Sequence, residues 1–356
     1  MKINFSNKKI SGMLSILPSN VVMFEDEMHN YSFSEAKSLK LKTAMGFKSK
    51  RVVSSEHTTS FDLVVKGLDY LFENNLLNKN SIDALIFVSQ SPEYIMPPTS
   101  NLLHGKYELD ERVYCLDINQ GCAGFIIGLQ QSFTLLDNPE INKVVLCNAD
   151  VLSPKVSKFD RNSNPLIGDA AAITILEKTN DETSIVGEIK MNGTGAMALN
   201  VPAGGARMPM TGETAVLYED VFGNRRSKNH LVMQGDNVFN FVQTKVPEQI
   251  KNIIESSDDS IESIDFFLFH QPNRFMLQKL ADKIGVSRAK LPSNVVENFG
   301  NSSGVTIPIV TAYNLGEQLE QTEMKVCFSG FGVGLTWGTI IMKLGNLDFC
   351  KVIYTN

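Results

Sequence analysis

Apolar residues in this chain recur in two patterns. Short continuous runs, Ala84 to Val88, Val113 to Leu116, Lys143 to Cys147 and Ala170 to Glu177, predict buried strands. Between them lie stretches with helical spacing: residues 34–45, Thr58 to Phe72 behind Thr/Ser caps, and Phe125, Ile126, Leu129 and Phe133. Residues 1–20 predict a short strand and a turn at Pro18-Ser19-Asn20. Gly46-Phe47 interrupts the helical pattern, and the Pro-containing loop Pro92 to Pro98 leads into a further helix. Residues 151–167 read as a polar insertion. Strands alternating with helices predict an α/β protein with mainly parallel sheets covered by helices.

The order then repeats. Ser81-Ile82-Asp83 recurs as Ser263-Ile264-Asp265, and Lys143-Val144 as Lys325-Val326, at one displacement (263 − 81 = 325 − 143 = 182). The run Ala84 to Val88 maps onto Phe266 to His270, and Gly121-Cys122 onto Ser303-Gly304, which predicts a second strand-to-helix turn there. The chain therefore reads as a duplicated α/β unit, residues 1–180 and 181–356. Corresponding turns of the two copies should face a common centre.

Composition narrows the choice mainly by exclusion. The 356 residues are 43% hydrophobic and 20% charged, as in an ordinary globular enzyme. A net charge of -6 without a long basic run speaks against a nucleic-acid partner. Five cysteines without C-x-x-C spacing point to free thiols in a reducing compartment. With no signal-like start and no membrane-length apolar stretch, the expected location is the cytoplasm. The five histidines are scattered and form no metal-binding pattern.

The chemistry gathers at three turns. Cys122 lies where the Val113 run meets a helix, flanked by Gly121, Ala123 and Gly124. A helix N-terminus favours a thiolate, and small neighbours admit a substrate carbonyl. A buried structural cysteine is the competing reading. His270 ends a strand, and Asn301 sits in the turn Asn298 to Gly304. Imidazole beside thiol is a nucleophile pair, and an amide adds a donor for developing negative charge. A structural histidine and a turn-forming asparagine are the alternatives. Gly330 to Gly338 lacks dinucleotide-loop spacing and runs into a strand, so it reads as a tight turn whose N–H groups can form half of an oxyanion hole.

Gly121-Cys122-Ala123-Gly124-Phe125, His270-Gln271-Pro272-Asn273, Gly300-Asn301-Ser302-Ser303 and Gly330 to Gly338 together resemble the β-ketoacyl-acyl-carrier-protein synthase III family of thiolase-like condensing enzymes. Gly168-Asp169-Ala170-Ala171, Pro202 to Arg207 and Met233 to Phe239 resemble further blocks of that family, so the resemblance covers nearly the whole chain. It implies a five-layered αβαβα thiolase fold built from the two halves, and a homodimer. It implies Cys122 as acyl-accepting nucleophile, and His270 and Asn301 as donors to the thioester carbonyl of a malonyl carrier during loss of carbon dioxide. The amides of Cys122 and Val333 would form the oxyanion hole. Met96 and Asn273 would belong to the substrate pocket, with Met96 closing the partner's acyl tunnel. Acyl-coenzyme A or acyl-carrier protein and malonyl-carrier protein would be the thioester substrates, with no bound cofactor.

Some positions depart from the family pattern. Lys40 and Ala44 stand where well-known bacterial members carry a tryptophan and an arginine that grip coenzyme A. Phe275 replaces a basic residue, with Arg274 beside it, and Asn240 replaces a lysine. The resemblance is therefore to a specialised member. Two other readings remain at this point: acyl transfer to an alcohol or amine without decarboxylation, and a non-catalytic partner subunit, against which the intact triad argues.

Overall fold

A computed structural model describes residues 1–257 and 259–355. Two mixed sheets form its frame. The first has six strands in the order Phe349–Thr355, Lys8–Pro18, Ala170–Lys178, Lys143–Asp150, Ala84–Val88, Tyr114–Ile118. The second has five, in the order Lys2–Ser6, Ser184–Met191, Thr336–Gly345, Glu323–Gly332, Phe266–Phe269. The expected strands at 84, 143 and 170 are present and buried. The one predicted at 113–116 runs from Tyr114 to Ile118 and is only half-buried, because it lies at the sheet edge.

Parallel pairing is less prevalent than the strand–helix alternation predicts. Ala84–Val88 runs parallel to both of its neighbours, and Phe266–Phe269 runs parallel to Glu323–Gly332. Glu323–Gly332 and Thr336–Gly345 are antiparallel, since the three-residue turn between them leaves no room for a crossover. Lys143–Asp150 and Ala170–Lys178 are also antiparallel, joined through the 151–169 segment. That segment is not a solvated loop: Asp160, Ser163, Asn164, Leu166 and Ile167 are buried.

The layers follow from which helix faces are apolar. Helices Gly124–Leu135 and Thr306–Leu319 lie between the sheets, where Phe125, Ile126, Phe133, Ile307, Val310 and Leu315 share one core. Ser60–Glu73 covers the outer face of the first sheet; Thr59 and Asp62 close its N-terminus with reciprocal hydrogen bonds. Gly235–Ser256 and Arg274–Ile284 cover the second. The result is five layers, αβαβα.

The terminal strands cross between the halves. Lys2–Ser6 pairs with Ser184–Met191, and Phe349–Thr355 with Lys8–Pro18. The duplication is also imperfect. Val295–Phe299 is a short helix where the first half has a strand, so Ser303-Gly304 does not follow a strand as expected. Val295, Val296 and Phe299 are spaced for one buried helical face, and Gly300 ends it at φ +81°.

Candidate active site

Cys122 occupies the turn between Tyr114–Ile118 and Gly124–Leu135. A hydrogen bond from Gly124 N–H to Gly121 C=O, 2.6 Å, tightens the turn. Gly332, at the end of Glu323–Gly332, faces the sulfur: a Cβ there would lie 2.5 Å from Cys122 Cβ and 2.7 Å from Sγ. Only glycine permits this approach, which brings the 333–335 turn of the second half onto Cys122 of the first.

The helix end does not make this thiol acidic. Burial pushes the Cys122 pKa up to about 11, while the Val333 amide, the Ser303 side chain and the Cys122 amide pull the other way. The magnitudes explain the reversal of the expectation. A helix terminus contributes at most about 2 kcal/mol. Desolvation of a buried group shifts a pKa by up to about 3–5 units. The Val333 and Cys122 N–H groups nonetheless favour negative charge at the sulfur, where an oxyanion hole would be needed.

His270 follows Phe266–Phe269 and is 1% exposed. Its Nδ1 lies 3.1 Å from the Ser303 carbonyl and 2.8 Å from Thr306 Oγ1, and its ring meets Phe331 edge-on. Burial pulls its pKa down to about 3, so the ring is neutral at ordinary pH. The Thr306 hydroxyl accepts the Gln271 N–H and also reaches the Ser303 carbonyl, fixing the ring's inner edge. The other nitrogen, Nε2, has no protein partner among the described residues.

Asn301 is held by its backbone. Its N–H donates to Leu166 C=O at 2.7 Å, and its C=O accepts from Gly168 N–H at 3.1 Å. Its Oδ1 accepts the Ser303 N–H at 2.9 Å, so Nδ2 is the side-chain group left to bind a ligand. Cys122, His270, Asn301 and the 333–335 turn are thus linked through Ser303 and Gly332.

The other proposed site residues sit differently. Asn273 caps Arg274–Ile284, its Oδ1 accepting the Met276 N–H at 2.8 Å, so only its amide nitrogen is available to a substrate. Met96 is 80% exposed on its loop. Lys40 and Ala44, with Ala36, Leu39 and Thr43, form an open depression on helix Glu35–Met45. Arg274 is engaged by Glu297 at 3.2 Å and by the Thr43 carbonyl at 2.6 Å. Phe275 instead stacks on Phe239, ring centres 5.8 Å apart. Among the described residues no group of three His, Cys, Asp or Glu side chains could hold a metal ion, and no helix is long and apolar enough to cross a membrane.

The sequence reading missed two residues at this centre, Ser303 and Asp150. The internal repeat carried a signal for the second, because it maps Asp150 onto Gly332 (150 + 182 = 332).

Two α/β halves on a shared helical interior, with equivalent strand ends converging on one cysteine, define a thiolase-fold protein. The sequence matches the profile of 3-oxoacyl-[acyl-carrier-protein (ACP)] synthase III over residues 116–195, and the profile of the C-terminal part of that enzyme over 254–344. A putative 3-oxoacyl-[acyl-carrier-protein] synthase 3 of Campylobacter jejuni is 30% identical across 100% of this chain and 99% of its own length. The β-ketoacyl-[acyl-carrier-protein] synthase III of Streptococcus gordonii is 28% identical over 94% of this chain and 99% of its own. A 3-oxoacyl-(acyl-carrier protein) synthase crystal structure from Burkholderia xenovorans LB400 superposes with a TM-score of 0.92 at 30% identity, covering 100% and 99% of the two chains. The chain belongs to the β-ketoacyl-acyl-carrier-protein synthase III family.

Proposed function

We propose that this protein is a decarboxylating condensing enzyme acting on acyl and malonyl thioesters. The observation that carries the reading is the convergence of Cys122, neutral His270 and the free Asn301 amide, with the Val333 N–H aimed at the sulfur. Cys122 attacks the acyl thioester, forming a new carbon–sulfur bond and releasing the donor thiol. In the neutral tautomer whose Nδ1 accepts the Thr306 hydroxyl, His270 Nε2–H is a donor, and it and Asn301 Nδ2 then donate to the thioester carbonyl of a malonyl carrier. Carbon dioxide leaves, and the pair stabilises the resulting enolate, which attacks the acyl-Cys122 carbonyl. The Cys122 and Val333 amides hold the oxyanion of that second addition until it collapses, breaking the carbon–sulfur bond to Cys122, regenerating the thiol and releasing the β-ketoacyl product. These donors act where charge develops rather than on the resting substrate.

The Asn301 amide favours this reading over plain transfer to an alcohol or amine, which forms no malonyl-derived enolate. Its relatives' names support carrier-protein thioesters as substrates. With Arg274 engaged elsewhere and Phe275 stacked on Phe239, the donor's handle is gripped differently from the family pattern. Release of carbon dioxide from labelled malonyl thioester, together with the intact mass of the acylated protein, tests the assignment. An acyl adduct without carbon dioxide release would move it to plain acyl transfer.

Two further outcomes follow. Gly332→Ala should displace Sγ and lower the rate of acyl-adduct formation about 100-fold, the cost of a misplacement near 1 Å; mass spectrometry against time reads it. The second concerns Met96, on an exposed apolar loop with Tyr94 and Ile95, which we assign to a homodimer contact closing the partner's acyl tunnel. A thioether chain yields volume more readily than a ring. Met96→Trp should therefore shift the acyl preference towards shorter chains in an acetyl-to-dodecanoyl series. A strictly monomeric protein, or an unchanged profile, would remove that role.

A further inference from the structure

A neutral His270 carries one ring proton, and neutrality does not say which nitrogen holds it. The proposed chemistry depends on that choice. Only the Nε2–H form can donate to a developing enolate. The Nδ1–H form would turn a lone pair towards it instead.

The inner edge of the ring decides between them. Nδ1 faces two oxygens, the Thr306 hydroxyl at 2.8 Å and the Ser303 carbonyl at 3.1 Å. A carbonyl only accepts, so the Thr306 hydroxyl is the one donor in reach of a bare Nδ1 among the described residues. The neighbouring Gln271 amide is spent elsewhere, its Nε2 donating to the Phe269 and Pro292 carbonyls at 3.0 Å each. Thr306 sits in the first turn of Thr306–Leu319 with 0% exposure, so bulk water does not compete for its hydroxyl.

That hydroxyl has one proton and two lone pairs. The Gln271 N–H donates to one lone pair at 3.1 Å. Two acceptors lie within reach of the proton, the Ser303 carbonyl at 2.9 Å and Nδ1 at 2.8 Å. The carbonyl already accepts the Thr306 backbone N–H and has a partner without the hydroxyl. A bare Nδ1 has no other partner, and a buried polar atom left unpaired is costly. Donation to Nδ1 therefore satisfies every group on this edge, and Gln271 N–H, Thr306 O–H and Nδ1 form a chain in which each bond strengthens the next.

Resting on the reading of His270 as a donor in decarboxylation, we propose that Thr306 is the positioning residue that sets the His270 tautomer, its hydroxyl donating to Nδ1 and keeping the ring proton on Nε2. The site also contains the competitor. Ser303, at φ +58°, holds its carbonyl beside Nδ1. Without the Thr306 hydroxyl, Nδ1 keeps a partner only by taking the proton and donating it to that carbonyl, which leaves Nε2 bare. The tautomer has a second consequence. A protonated Nε2 has no lone pair for the Cys122 thiol proton, so the ring is committed to the malonyl step.

The test compares wild type, Thr306→Val and Thr306→Ser, isotope-labelled in the histidine rings. The long-range nitrogen–proton NMR pattern of His270, assigned by its loss in His270→Ala, reads the tautomer at about pH 7, where the ring is neutral. Wild type and Thr306→Ser should show Nε2–H, and Thr306→Val, the same shape without a donor, Nδ1–H. Thr306→Val should also lose about 100- to 1,000-fold in carbon dioxide release from labelled malonyl-coenzyme A, the cost of one oxyanion donor. It should keep acyl-adduct formation from acetyl-coenzyme A, and Thr306→Ser should restore both tautomer and release. The valine also leaves the Gln271 N–H without its acceptor, a defect that does not by itself move a ring proton. An Nδ1–H ring in wild type overturns the proposal, as does an Nε2–H ring in Thr306→Val. Should Thr306→Val not fold, an Nε2–H ring in Thr306→Ala overturns it equally. If the ring flips in Thr306→Val while carbon dioxide release stays at the wild-type rate, the tautomer assignment stands and the donor role of His270 falls. If wild type releases no carbon dioxide, the condensing reading fails, and the ring spectra still decide the tautomer.

Discussion

Cys122→Ala should form no acyl adduct with any thioester, while still releasing carbon dioxide from a malonyl thioester. The first effect is total because no other thiol takes its place. Cys147, Cys327 and Cys350 are buried in the sheets, and Cys115 lies in the edge strand Tyr114–Ile118, before the turn that carries Cys122. The fold should survive, since alanine fits between Gly121 and Ala123 and loses only one small group, worth about 1 kcal/mol. Decarboxylation should survive because its donors, His270 and Asn301, come from the second half and keep their anchors. Intact-mass measurement after incubation with acyl thioesters reads the first effect, and trapped labelled carbon dioxide reads the second. A stable adduct in this variant would assign the nucleophile elsewhere.

His270→Ala and Asn301→Asp should show the converse, losing about 100- to 1,000-fold in decarboxylation, the cost of one well-placed oxyanion donor. Both should keep appreciable self-acylation. Aspartate is the sharper replacement at Asn301. Its carboxylate still accepts the Ser303 N–H, 2.9 Å from Oδ1, so Ser303 keeps its strained backbone, but the donating amide is gone. Asn301→Ala would break that bond as well, mixing a chemical loss with a structural one of about 1 kcal/mol. Rates of carbon dioxide release and of adduct formation, taken on the same preparations, separate the two steps. A variant that condenses at the wild-type rate would strip that residue of its role.

Both expectations depend on features of unequal visibility in the chain. The strand at Ala84, the helix capped at Thr59 and a tight turn within Gly330 to Gly338, found at 333–335 with strand on either side, were legible, because periodicity and turn chemistry are encoded by near neighbours. The duplication was legible too, and it brought three distant turns to one place before any coordinates. The edge position of Tyr114–Ile118, the helix Val295–Phe299 and the crossing of the terminal strands were not. Each depends on the order in which strands and helices pack in space, for which a short apolar run carries no address.

The same division holds at the site. Residue types and spacing determined which groups can react: one cysteine between small residues, one histidine at a strand end, one asparagine in a glycine-rich turn. Tertiary structure alone decided their protonation. Desolvation sums over every neighbour that excludes water, wherever it lies in the chain, and here it outweighs the local helix end that would have ionised Cys122. It also leaves His270 neutral and raises Asp150 towards 7, at strand ends whose local sequence gives no sign of either shift.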